Sequence, residues 1–180
     1  VTFSVELHER GEAEVSLLNN TNDIAIVFRP MRLKELHLVY SGAQKVYCIM
    51  SDQHPLAGRD RLKIYDCAEF PLVLPKRPEG IRQVLDIDAE KTGVTLAPAL
   101  ESNSLDLLRL MSRDSMALSF SLAINLRPDL ESERLAAVPL DTSETAAGVL
   151  VAGYLRGRVL PVAAARFLEL VNKELSMQFS

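Results

Sequence analysis

Short apolar runs recur along this chain, with segments of helical apolar spacing between them. That alternation constrains the fold more than any other feature. Strands separated by helix-length crossovers point to an α/β fold with mostly parallel sheets. The predicted strands are residues 1–8, 23–28, 36–40, 45–50, 71–74, 94–100, 116–121, 134–140 and 148–154. In the first, Val1, Phe3, Val5 and Leu7 share one face. The run from Asp23 to Phe28 is almost continuously apolar, the pattern of a strand covered on both faces. Helices are predicted over 12–19, 79–92, 104–113 and 161–175. Pro161 suits the first helical position, where its missing N–H is no loss. The polar stretch 51–70 is long for a connection and reads as a link between two lobes or a decoration of one.

The 180 residues are 48% hydrophobic and 24% charged, which excludes a disordered, collagen-like or coiled-coil chain. A formal net charge of −4 opposes phosphate contact, so these residues alone make a poor nucleic-acid binder. No apolar run approaches the roughly 20 residues that span a bilayer, and no signal peptide is visible. The chain opens without Met, directly inside an alternating pattern. That start reads either as a trimmed terminus or as the back part of a longer protein.

Enzyme signatures are missing from the sequence. It holds no GxSxG elbow, no GxxxxGK[ST] loop, no GxGxxG turn and no HExxH helix. Cys48 and Cys67 stand outside any CxxC pair. Cys48, within the apolar stretch Val46–Met50, is expected to be a buried reduced thiol. His8, His37 and His54 lack ligand spacing and read as structural. The acid pairs Asp86/Asp88 and Asp129/Glu131 read as solvated faces. No cofactor and no metal are expected.

A ligand site can still be placed. In open α/β sheets, ligands bind beyond the carboxyl ends of the strands, where helix N-termini present free N–H groups. Arg10 and Gly11 follow the first predicted strand, and Arg29 and Pro30 follow the second. Lys76 and Arg77 follow residues 71–74. Ser102, Asn103 and Ser104 follow residues 94–100 and suit the cap of the next helix. These groups fit a small anion such as a carboxylate; caps and solvated cations are the competing reading.

At this point the motifs resemble a family. The segment His54-Pro55-Leu56-Ala57-Gly58 resembles the "HPLA" element of LysR-type transcriptional regulators. Asn22–Val27 is similar to that family's "lDlaIv" strand, and Tyr65–Leu74 to its "l.dla.yPlil". Leu100–Ser104 resembles "leTNS", and Arg134–Leu140 resembles "grLv.vpl". Arg156–Pro161 with the helix that follows resembles the "r.r.lspaa..f" ending. Six motifs in order cover essentially the whole chain. One departure stands out: where the family has "GlGia.lp", this chain reads Ser115-Met116-Ala117-Leu118-Ser119-Phe120.

The resemblance implies an effector-binding domain of the two-lobed, type II periplasmic-binding-protein-like fold. Lobe I would hold 1–48 and 149–180, and lobe II 49–148, with Lys45–Met50 and Gly148–Tyr154 as hinge crossover strands. A small, anionic metabolite would bind between the lobes and bias their closure. The winged helix-turn-helix domain that binds DNA, and the first strand and helix of lobe I, would precede these residues. The helix around Glu12–Asn19 resembles one used for dimer contacts. The implied partners are the effector, DNA through the N-terminal domain only, a second copy in a homodimer or homotetramer, and RNA polymerase indirectly. The implied location is cytoplasmic, with no membrane contact and no catalysis. Two alternatives share the architecture: an extracytoplasmic solute-binding protein of a transporter, and an enzyme on the same fold.

Overall fold

A computed structural model describes residues 1–126, 134–143 and 147–178. The chain forms two compact units. One comprises Val1–Ala43 with Gly148–Ser180, the other Gln44–Ala147. The divisions thus fall after Ala43 and Ala147, rather than after 48 and 148.

The first unit opens with residues 1–9 outside any helix or strand. The strand expected over 1–8 does not form. Val1, Val5 and Leu7 are exposed, and no ladder is recorded for them. An alternating pattern marks a face, but a strand also needs a neighbour to bond with. Phe3 packs against the ring of Phe167 at 5.2 Å. Helix α1 (Glu12–Leu18) follows, entered through Gly11 at φ 89. Strand β1 (Ala25–Phe28) pairs antiparallel with β8 (Gly148–Leu155), and β2 (Leu36–Gln44) flanks β8 on its other side. Being an edge strand with one covered face, β1 buries Ala25 and Val27 and leaves Ile26 exposed. The expected burial of both faces does not occur, since Ile26 is exposed.

Leu17, Ala25, Val27, Leu36 and Val151 form this unit's core cluster. The arginines of the closing motif act as clamps here. Arg156 donates to the carbonyls of Lys34 and Leu36, and Arg158 to the Asn22 carbonyl and the Asp23 carboxylate. The final helix α5 (Val162–Gln178) starts one residue after Pro161, whose carbonyl accepts the Ala165 N–H. Pro161 therefore stands just outside the first helical position.

The second unit builds on β3 (Val46–Ser51), the centre of a three-stranded sheet. Its neighbours β6 (Ser119–Leu122) and β7 (Leu135–Pro139) both run antiparallel to it. Next come α2 (Ile64–Cys67), β4 (Leu72–Pro75), α3 (Gly80–Thr92), β5 (Pro98–Ser102) and α4 (Leu105–Arg113). Strands β4 and β5 pair in parallel, with α3 as the crossover that parallel pairing requires.

The α/β class stands, but strand direction departs from the expectation. One of the four ladders with an assigned register is parallel and three are antiparallel. The regular strand–helix rhythm hides this, because β1 and β3 meet partners far along the chain. The strand expected at 94–100 begins at Pro98. Gly93, at φ 70, ends α3, and the Val94 N–H turns back to the Ala89 carbonyl. The strand expected at 116–121 likewise begins at Ser119. Cys48, Leu74, Leu85 and Leu118 lie fully buried in this unit. Among the described residues, no helix is long and apolar enough to cross a membrane.

Candidate functional site

In the first unit, the four residues expected to face a ligand meet around one turn. Residues 29–32 follow β1, and three groups hold their backbone. Arg10 Nε donates to the Arg29 carbonyl at 3.1 Å. Glu14, only 1% exposed, accepts the Met31 N–H at 2.6 Å and the Arg32 N–H at 3.3 Å through Oε1. The Arg29 N–H itself donates to the Val149 carbonyl at 2.9 Å. Gly11 packs so closely here that a Cβ would lie 3.0 Å from Met31 Sδ. Arg29 takes φ 53, a region non-glycine residues enter rarely. Burial lowers its pKa, and the Arg10 charge lowers it further. An anion at this turn would offset both effects. Arg10 is thus a backbone clamp as well as a cation, a role its sequence position does not disclose.

Arg10 and Gly11 also border an open depression of about 440 Å³ shared with His8, Ser16, Asn19 and Thr21. The ring of His8 lies 3.1 Å from Glu6 and 3.1 Å from Asn22 Nδ2.

In the second unit, the strand ends come together as the parallel pairing demands. Pro75 stands opposite Ser102, and the Lys76 N–H donates to the Ser102 carbonyl at 3.1 Å. Ser102 Oγ accepts the Ser104 N–H at 3.1 Å, and Ser104 Oγ accepts the Leu107 N–H at 3.2 Å, capping α4. Each hydroxyl has spent a lone pair on the backbone and keeps its own O–H to give. The pair therefore suits an acceptor such as a carboxylate or phosphate oxygen, at the end of α4 where the helix dipole is positive. Asn103 is exposed beside them, and the exposed Lys76 makes no ion pair among the described residues.

Arg77 departs from the expectation of a ligand-facing cation. Its guanidinium grips Asp86 with two bonds, Nε–Oδ2 at 2.8 Å and Nη2–Oδ1 at 3.1 Å. Asp86 also receives Arg82 Nε at 3.0 Å. Burial pulls the Asp86 pKa up, but the hydrogen bonds from Arg77 and Arg82 outweigh it and hold the carboxyl below its ordinary range.

The acid pair expected to be solvated is therefore engaged. Asp88, 5% exposed, accepts the Ser143 N–H at 3.1 Å and its hydroxyl at 2.6 Å. Asp129 and Glu131 lie outside the described residues. Sequence reading missed Glu14 and Arg82 and read Asp88 as solvated, because charged side chains are ordinarily surface residues.

The histidines carry no metal geometry: among the described residues, no group of three or more His, Cys, Asp or Glu could hold an ion. His54 is buried, its Nδ1 accepting the Leu56 N–H at 3.1 Å and its ring edge-on to Phe70 at 4.5 Å. Cys48 and Cys67 are both fully buried, with sulfurs 4.0 Å apart. The expected reduced, buried Cys48 is found. Its contact with Cys67 is a tertiary fact no spacing rule gives.

The geometry defines a class first: a mixed α/β chain in two units, each with polar strand ends. Comparison with known proteins resolves the class to a family. Residues 1–176 match the model of the LysR substrate binding domain, and the chain belongs to that family. It is 26% identical over 167 residues to the RuBisCO operon transcriptional regulator of Allochromatium vinosum, covering 91% of this chain and 54% of that protein. The chain thus spans about half the length of this curated relative.

Among solved structures it is similar to the Synechocystis PCC6803 CcmR regulatory domain in complex with 2-PG. That likeness has a TM-score of 0.80 at 19% identity, over 95% of this chain and 82% of the other. It is also similar to the effector binding domain of QuiR in complex with shikimate, with a TM-score of 0.76 at 13% identity over 96% and 81%. These likenesses establish the type II periplasmic-binding-protein-like fold.

Proposed function

We propose that this chain is the effector-sensing part of a cytoplasmic LysR-family transcriptional regulator, and that it binds a small anionic metabolite without turning it over. The observation that carries the reading is the family match across residues 1–176. The anionic class rests on local chemistry. In the second unit, Ser102 and Ser104 keep hydroxyl donors beside Asn103 and Lys76, at the start of α4. In the first unit, Arg29 and Arg10 crowd two positive charges around the Gly11 and Pro30 backbone. Arg77 belongs to the same rim through its hold on Asp86. The two similar structures were solved with small acids, 2-phosphoglycolate and shikimate, which makes such acids the first candidates.

DNA contact is assigned to a winged helix-turn-helix domain outside these 180 residues, whose net charge is −4. Self-association is assigned to apolar surface such as the exposed Leu105, Leu107, Leu110 and Met111 of α4, and to the α1 face carrying Val15 and Leu18. RNA polymerase is reached only indirectly.

Thermal shift with 2-phosphoglycolate, shikimate and a panel of other organic acids tests the binding reading. A ligand at about 100 times its Kd adds roughly 2.7 kcal/mol to stability. At least one acid should raise Tm, and the Ser104→Ala and Lys76→Ala variants should need several-fold more of it. Acids that leave Tm unmoved, while neutral analogues raise it, overturn the anionic reading.

A further inference from the structure

Arg82 is the least expected side chain in the second unit. It sits on α3, 3% exposed, where a guanidinium needs partners for its donors. Two of its three nitrogens are engaged. Nε donates to Asp86, and Nη1 donates both to the Pro75 carbonyl at 3.1 Å and to the Glu101 carboxylate. Pro75 is the last residue of β4, and Glu101 is the penultimate residue of β5. One buried group therefore holds the carboxyl ends of both parallel strands.

The last rung of their ladder, Pro75 opposite Ser102, lies directly beyond these contacts. It continues into the Lys76 N–H bond to the Ser102 carbonyl and then the Ser102–Ser104 turn. Around Arg82 the charges cancel: Arg77 and Arg82 against Asp86 and Glu101. The rim is thus fixed by a neutral network, and its ligand-facing donors lie outside it.

We propose that Arg82 is a positioning residue for effector capture, setting the register of the β4 and β5 ends so that Lys76, Ser102 and Ser104 present their donors together. The inference rests on the anion-binding reading above. The guanidinium reaches a carbonyl on one strand, a carboxylate on the other and Asp86 on its own helix through two nitrogens at once. Lysine has the charge without the fork.

The test compares Arg82→Lys, Arg82→Gln and Glu101→Ala in the intact chain. Glu101 is partly exposed, with 42% of its side chain accessible, so its removal cuts the β5 tie while leaving Arg82 bonded to Asp86 and Pro75. Amide hydrogen exchange is read at Lys76, Ser104 and Leu107, and 2-phosphoglycolate affinity by calorimetry. Expected is roughly tenfold faster exchange at Lys76 and Ser104 in all three variants, with the centre of α3 unchanged. Affinity should fall by a similar factor, and Arg82→Lys should fail to rescue it.

Exchange that stays unchanged at those amides overturns the proposal. So does a uniform rise across the unit, which marks Arg82 as merely structural, and so does full rescue by lysine. Should Arg82→Gln fail to fold, Glu101→Ala carries the test. Should wild type bind no acid, the effector reading falls, and the exchange data still decide the role of Arg82.

Discussion

Removing the Glu14 carboxylate is the most informative single perturbation of the first unit. Its Oε1 accepts two backbone N–H groups, from Met31 at 2.6 Å and Arg32 at 3.3 Å, inside a site with 1% exposure. Its Oε2 has no hydrogen-bond partner among the described residues. A hydrogen bond to a charged group contributes about 1.5–3 kcal/mol. Counting the short bond in full and the long one at half, Glu14→Ala should cost about 3 kcal/mol.

In a chain of this size each kcal/mol moves Tm by about 2–4 °C, so the loss should be roughly 6–12 °C. Glu14→Gln keeps a carbonyl oxygen at the accepting position and removes a buried charge whose second oxygen is unpartnered. It should stay within about 1 kcal/mol of wild type. The assay is differential scanning fluorimetry of both variants, followed by acid titration. Because the 29–32 turn carries Arg29 and Pro30, Glu14→Ala should also weaken acid binding. An unchanged Tm in Glu14→Ala would show that the turn is held by other means. Equal damage from both variants would show that the charge, and not the acceptor, matters.

Three further outcomes follow from the packing. Burial holds the His54 pKa below its ordinary value. A base depressed in the fold contributes its full stability above the unfolded value of about 6.5 and loses it as pH falls toward the folded pKa. Tm should therefore drop between about pH 7.5 and 5.5 more steeply in wild type than in His54→Gln, and parallel slopes would refute this. A Cβ at Gly153 would lie 2.4 Å from the His37 carbonyl oxygen, so Gly153→Ala should cost about 3 kcal/mol in a urea melt. Gly58, where nothing lies within 4 Å of a Cβ, should accept alanine almost silently, and equal midpoints for the two variants would sink the argument. Burial, reinforced by Cys67, pushes the Cys48 thiol well up, and Cys67 is itself fully buried, so neither cysteine should react with a thiol reagent until the chain is denatured. Rapid labelling of the native chain would contradict the buried placement.

The elements with strong local signals were legible in the sequence. Apolar spacing placed α1, α3, α4 and α5, and the run at 71–74 gave β4 to within a residue. Ser104 was recognisable as a cap because its neighbours are small and polar and an apolar helix follows. What stayed hidden depends on contacts between distant residues. The direction of β6 and β7 relative to β3 is set by how the chain returns, and no local pattern records it.

The candidate site shows the same division. Its strand-end residues could be named from position alone. That Arg77 is bound to Asp86, and that Arg10 clamps the Arg29 backbone, required knowing which helix face lies opposite. Buried Glu14, Arg82 and Asp88 run against composition. Their signals are partners 17, 19 and 55 positions away.

The placing of β8 bears on how the chain is made. The second unit is one continuous stretch, Gln44–Ala147, whereas the first is assembled from both ends of the sequence. Its middle strand is the late one: β8 lies between β1 and β2 and pairs Ala25 with Gly153. During synthesis β1 and β2 therefore emerge with an empty lane between them. They must wait while the whole second unit is translated. That unit can collapse around its own core in the interval, as domains tend to do in order of emergence. The first unit is closed only by residues that appear after the second unit. Chains halted before Gly148 would carry a finished second unit and two open strand edges, the kind of surface that recruits other chains.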